Sequence, residues 1–326
     1  MSGMNETQLQ EIYHHCKDLV DAYPDICKYD ESYYGYRIWI APNALFLGLF
    51  SLSFLGFAGV FVLTRFRNVG FSVAMLLGVL GEILGYAGRV LSWQDQWSQT
   101  GFLMQICCLT IAPAFLAAGI YFCLRSIVMA FGAQNSRIKP TWYPRIFIPC
   151  DVISILLQAI GGAMASVASQ DGSDLTTGNN IMIAGLAFQV ITLFVFIVLT
   201  SDFAIRTLRH RENLNQDPAV VSLRNSLRFR LFLGALALST ICIFWRCCFR
   251  VAELSDGWSG PIMKEQNLFV GFEGVMVVVA VLVLNVFHPN VCFRGMENYR
   301  PQKKKSAREE KESRYSSNSP SDEELR

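Results

Sequence analysis

Seven runs of about twenty mostly apolar residues, separated by short polar stretches, leave this chain few ways to fold. A hydrocarbon layer offers the backbone no water, so any segment crossing it closes its own amide hydrogen bonds as a helix. At 1.5 Å per residue, such a run spans a bilayer core about 30 Å thick. The runs predict helices over Asn43–Leu63, Val69–Leu91, Phe102–Leu124, Ile146–Ala168, Ile181–Phe203, Leu231–Val251 and Asn267–Phe287. They take nearly half of the 326 residues and leave an N-terminal arm (1–42), six loops and a tail (288–326), with no room for a second folded domain. The expected fold is therefore all-α: an integral membrane bundle of seven transmembrane helices occupying 43–287. Composition agrees, since 17% of the residues are charged against the roughly 25% usual for soluble domains.

The loops suggest an orientation. Twenty-one Lys and Arg lie in the first, third and fifth loops and the tail, against four in the arm and the remaining loops. Cytoplasmic segments keep the excess of positive charge, so the N-terminus is expected outside and the C-terminus in the cytoplasm. The basic residues abut membrane spans, which argues against nucleic acid as a partner. The first 41 residues show no basic-then-apolar leader with a small-residue cleavage site, so the first span is expected to direct insertion itself.

Asn5-Glu6-Thr7 is a glycosylation sequon on the expected outer side, where Cys16 and Cys27 either pair as a disulfide or stay free. Cys292 is either a palmitoylation site or an ordinary juxtamembrane cysteine. The tail from Pro301 mixes charge with Ser and lacks apolar periodicity, as disordered segments do.

Charges inside the spans are the informative residues, because each costs roughly 3 kcal/mol or more in lipid unless it faces the interior and finds a partner. Glu82 and Arg89 stand seven apart on one helical face, Arg246, Arg250 and Glu253 share a face of the sixth span, and Glu273 joins from the seventh. Counted from the predicted edges, Glu82 lies near mid-depth and the other five in the outer half, a polar cluster expected to open outward. Asp151 lies about 8 Å inside the cytoplasmic edge, with Ser154 and Gln158 following on its face. Two readings stand. The carboxylates either line a path for substrate or protons, or they neutralise the arginines and fix helix register. Gly81-x-x-x-Gly85 with Gly88, and Gly161-Gly162, permit close helix approach, and Pro113 marks either a hinge or a static bend in the third span.

Several classes drop out. The four His residues fall outside the apolar runs and no G-x-x-x-x-G-K-[ST] occurs, so neither a metal, a cofactor nor ATP hydrolysis is called for. No nucleophile and base converge for an enzyme acting on lipids. The third span ends Cys123-Leu124-Arg125-Ser126 and the seventh lacks both N-P-x-x-Y and a lysine, unlike G-protein-coupled receptors and retinal proteins.

From about Tyr36 to Pro289 the chain resembles the fungal lipid-translocating exporter family. The resemblance rests on Tyr36 with Pro42-Asn43, Glu82-x-x-Gly85-Tyr86-x-x-Arg89, and Ala112-Pro113-Ala114-Phe115 through Tyr121. It continues with Asp151-x-x-Ser154-x-x-x-Gln158-x-x-Gly161-Gly162, Gly185-Leu186 with Gln189, Arg246-x-x-x-Arg250-x-x-Glu253, and a closing His288-Pro289. It departs at Phe269 and Glu273, where the family pattern has Tyr and Asp. The resemblance implies a multi-pass protein of the plasma membrane or an internal membrane. Such a protein moves amphiphilic lipids such as sphingoid long-chain bases toward the outer leaflet and confers resistance to toxic amphiphiles. Asp151, Gln158, Glu82 and Glu273 are then the candidate cargo contacts, beside an ion-pair network of Arg89, Arg246, Arg250 and Glu253. The alternative is a seven-span lipid or stress sensor that leaves transport to another protein.

Overall fold

The computed structural model describes residues 32, 34–171, 174–210, 212, 214–255 and 260–292. Asn5, Cys16, Cys27 and the tail beyond Cys292 lie outside the described residues, and with them the expectations for the sequon, for Cys16 and Cys27 as paired or free, and for the tail. Among the described residues seven helices are long and apolar enough to cross a membrane. They are α1 Ile40–Leu63, α2 Val69–Gln94, α3 Gln99–Phe131, α4 Trp142–Asp171, α5 Thr176–Arg209, α6 Leu227–Ser255 and α7 Gln266–Cys292. Each contains its apolar run. Most overshoot it, because the hydrogen-bond ladder continues into the polar interface where hydropathy has already fallen. α3 and α5, of 33 and 34 residues, are about 50 Å long and must project beyond the hydrocarbon.

α3 is the central helix: 67% of its apolar window is buried, against 22% for α1, which shows most of its surface to lipid. Glycine sets the closest approaches. A Cβ on Gly88 would stand 2.9 Å from the Gln105 backbone nitrogen of α3, and one on Gly161 would stand 2.4 Å from that of Met182 in α5. α2 therefore lies backbone to backbone on α3, and α4 on α5, as small-residue ridges allow in a solvent with no hydrophobic drive between helices. Gly162 has room to spare, with only the Met182 sulfur at 3.8 Å.

Two features close the ends. At the end carrying the basic loops, called the basic end below, the α1–α2 turn holds Arg65, Phe66 and Asn68 at φ of 51°, 58° and 47°, a left-handed backbone costly for side-chain-bearing residues. Asn290, fully buried, secures that turn. It accepts from the Asn68 amide (2.7 Å) and donates to the Thr64 hydroxyl (2.9 Å) and the Arg67 carbonyl (3.0 Å). At the opposite end Tyr34 and Ile38, from the last stretch of the arm, pack with Phe102, Met182, Leu186, Leu254 and Met263 and plug the bundle.

Candidate functional site

The arginine and glutamate cluster is closed. Glu82, Arg89, Arg246, Arg250, Glu253 and Glu273 are each at most 2% exposed, which corrects the expectation of a cluster opening outward. The arm supplies the closure. Tyr34 donates to Gln105 Oε1 (2.8 Å) and shares a second hydrogen bond with Ser92 (2.9 Å), while Tyr36 places its hydroxyl 3.0 Å from Arg89 Nη2. Burial pushes the Tyr34 hydroxyl up to about 12, so it remains a neutral donor at any physiological pH.

Within the cluster, Arg246 of α6 is the hub. Its Nη2 meets Glu273 of α7 at 2.5 Å, stands 4.0 Å from Glu82 of α2, and donates to the Leu109 carbonyl of α3. That carbonyl is free for a reason written four residues on. Pro113 has no amide hydrogen to return to Leu109, so the i→i−4 bond of the helix is missing there and the guanidinium takes its place. Glu273 reaches its position from a stretch of π-helix, Phe269–Val275, which rotates the α7 face by the extra residue per turn. Arg250 pairs with Glu253 three residues on and donates to the Thr110 hydroxyl (3.1 Å).

Arg89 departs from the expected ion-pair network. No carboxylate lies within salt-bridge distance of it among the described residues, and Glu82, two turns away on the same helix, turns to Arg246 instead. Its guanidinium is held by neutral oxygens, Asn43 Oδ1 (2.8 Å), Gln105 Oε1 (3.2 Å) and the Tyr36 hydroxyl (3.0 Å), and lies 3.9 Å from the centre of the Phe269 ring. Asn43 and Gln105 are polar breaks in apolar runs, visible in the sequence; what is not visible there is that both serve one arginine.

Pro113 thus opens a carbonyl that Arg246 takes, and the restored amide of Pro113→Ala would compete with Arg246 for it. The purified variant is expected to melt no higher than the parent. Removing a proline whose freed carbonyl had no other partner would gain up to about 3 kcal/mol. A clear rise in melting temperature would contradict the role given to the Arg246–Leu109 bond.

Asp151 stands apart from this cluster. It is 3% exposed, and neither carboxylate oxygen has a hydrogen-bond partner. The Tyr121 phenol of α3 lies within interaction range of it, in a contact whose geometry falls short of a well-formed hydrogen bond, and neither group has another hydrogen-bond partner. Tyr121 belongs to an aromatic group with Phe147, one turn before Asp151, and Phe196 of α5, ring centres 4.6–5.3 Å apart. Further along the Asp151 face, Ser154 is buried and Gln158 donates to Gln189 of α5 at 3.0 Å, leaving Gln158 Oε1 free. A lone carboxylate, three aromatic rings and a polar ladder leading inward thus lie between α3, α4 and α5.

Seven apolar helices enclosing buried charge define an integral, multi-pass membrane protein. A family model described as RTA1 like protein matches residues 75–296, and the chain belongs to the RTA1-like protein family. It is similar to the sphingoid long-chain base transporter RSB1 of Saccharomyces cerevisiae, 34% identical over an alignment of 255 residues, with 70% of this chain and 66% of that protein covered. It is also similar to the yeast Protein RTA1, 28% identical over 240 residues (73% of this chain, 72% of the relative), and to the yeast Protoporphyrin uptake protein 1, 27% identical over 216 residues (66% and 67%). The chain spans just under two thirds of the length of the RSB1 relatives. No solved structure matches it.

Proposed function

We propose that this chain moves amphiphilic lipids with a cationic head, sphingoid long-chain bases or chemically similar toxic amphiphiles, from the leaflet at its basic end toward the opposite leaflet, and so confers resistance to them. The observation that carries this reading is Asp151: a buried carboxylate with no cation within salt-bridge distance and no well-formed hydrogen bond among the described residues, its nearest polar neighbour the Tyr121 phenol, beside the Tyr121, Phe147 and Phe196 rings. A carboxylate next to aromatic faces is the chemistry that receives an ammonium, through charge and cation–π attraction together. The transporter name of the RSB1 relatives supports the same cargo class. Gln158, with one free oxygen, is the next polar contact along the face, and Glu82 and Glu273 lie deeper, where entry requires the charge cluster to reopen.

The reading is tested by following labelled sphingoid base in vesicles reconstituted with the full chain. Transfer between leaflets should be faster than in empty vesicles, and equal rates would sink the transport reading and leave the sensor. The basic end is taken as cytoplasmic. A membrane-impermeant amine reagent on intact cells is then expected to modify Lys264 and to spare Lys139, both exposed at opposite ends of the bundle. The reverse pattern would invert the orientation and the direction of movement with it.

A further inference from the structure

Two cavities lie side by side at the basic end, and neither Asp151 nor any residue of the charge cluster lines them. One, of about 450 Å³, sits between α3 and α4 and is lined by Arg125 and Arg145 together with Phe122, Thr141, Pro144, Ile148 and Pro149. The other, of about 310 Å³, lies between the start of α2, the end of α3 and Pro289, and shares Phe122 and Arg125 with the first. The Phe122 ring forms the wall between them and seats over Gly70, where a Cβ would stand 2.9 Å from the ring.

Arg125 and Arg145 are both exposed and have neither a hydrogen bond nor an ion pair among the described residues, and no acidic side chain lines either cavity. Two like charges on one cavity, unneutralised, ask for an anion. They also exclude the cationic cargo proposed above.

Depth identifies the source of that anion. Arg125 is the first residue after the apolar run of the third span and Arg145 the last before that of the fourth. On adjacent antiparallel helices both guanidiniums therefore stand at the level of the lipid head groups. Trp142, 50% exposed one turn before Ile146, marks the same interface, and below it α4 shows Ile146, Val152, Ile153 and Leu156 outward, where acyl chains run.

We propose that the Arg125–Arg145 cavity binds the head group of an anionic phospholipid from the leaflet at the basic end, one guanidinium on its phosphate and the other on the further anionic group that a zwitterionic lipid lacks, with Ile148, Pro149 and Phe122 against its upper acyl chain. Guanidinium forks bind phosphate oxygens in pairs, which gives a held lipid rather than a diffuse counter-ion layer.

The test is native mass spectrometry of the detergent-solubilised full chain offered phosphatidylserine or phosphatidylcholine in equal amount. The parent should retain phosphatidylserine with a preference of about tenfold. The Arg125→Gln/Arg145→Gln double variant should lose that preference while its melting temperature stays with the parent's. Lys139→Gln, which removes a cation at the same end that lines neither cavity, should keep it. An equal preference for the two lipids in the parent, or a preference that survives in the double variant, would overturn the proposal, as would an equal loss in Lys139→Gln. Displacement of the lipid by millimolar inorganic phosphate would make this a small-anion site and also overturn it. If the double variant does not fold, Arg125→Lys/Arg145→Lys replaces it, and a preference undiminished by loss of the paired forks refutes the proposal. None of these readouts depends on transport.

Discussion

Arg246→Met is expected to lower the stability of the folded chain by about 3–5 kcal/mol, the cost of removing one partner of a buried ion pair. Three groups lose their cation or donor at once: Glu273 at 2.5 Å, Glu82 at 4.0 Å and the Leu109 carbonyl that Pro113 leaves open. Methionine fills most of the volume, so the loss is electrostatic rather than a cavity. Thermal unfolding of the purified protein, read by tryptophan fluorescence, should show a large downward shift, and Arg246→Met/Glu273→Gln should recover a good part of it because one stranded carboxylate becomes a neutral amide. A single variant that melts within a degree or two of the parent would mean the cluster is dispensable for the fold.

Asp151→Asn should behave in the opposite sense. An unpaired buried carboxylate is a burden on the fold, so an amide of the same shape is expected to leave stability equal or raise it. Transport should nonetheless fall, by at least about tenfold in initial rate, if the ammonium of the cargo needs the negative charge: losing an interaction of about 1.4 kcal/mol already gives that factor. The measurement is flux per folded protein in vesicles, with the melting curve run on the same preparation. Flux unchanged beside unchanged stability returns Asp151 to a structural role; flux lost together with stability does the same. Only the divergence of the two supports a cargo contact.

The sequence reveals different layers of this molecule to different degrees. The seven helices are legible because lipid imposes one requirement, a long apolar run, and the chain meets it seven times. The identity of the buried charges is legible for the same reason, as exceptions to that requirement. Their partners are not, since a helical face says which residues look inward and not which neighbour they meet. Arg89 illustrates this: Glu82 lies on its own face, yet the contacts come from Asn43 on α1, Gln105 on α3 and Tyr36 on the arm. The π-helical stretch that aims Glu273 at Arg246 leaves no mark in hydropathy. The link from Pro113 to Arg246 was half readable, as a proline in a membrane helix always frees the carbonyl four residues back, but the taker of that carbonyl sits 137 residues away. The role of the arm is not legible for another reason: nothing in its composition says that Tyr34, Tyr36 and Ile38 fold back to seal the cluster.

The glycine contacts have a mechanical consequence. Where two helices touch through their backbones, no layer of side chains remains to repack, so neither can slide or roll on the other without breaking the fit. α2 with α3, and α4 with α5, thus form two stiff staves rather than four independent rods. The seam between the staves, where α3 faces α4 through Tyr121 and Asp151, has no such glycine contact among the described residues, so it yields to a change of shape more readily than either stave does, and whatever occupies that seam weighs directly on whether it parts.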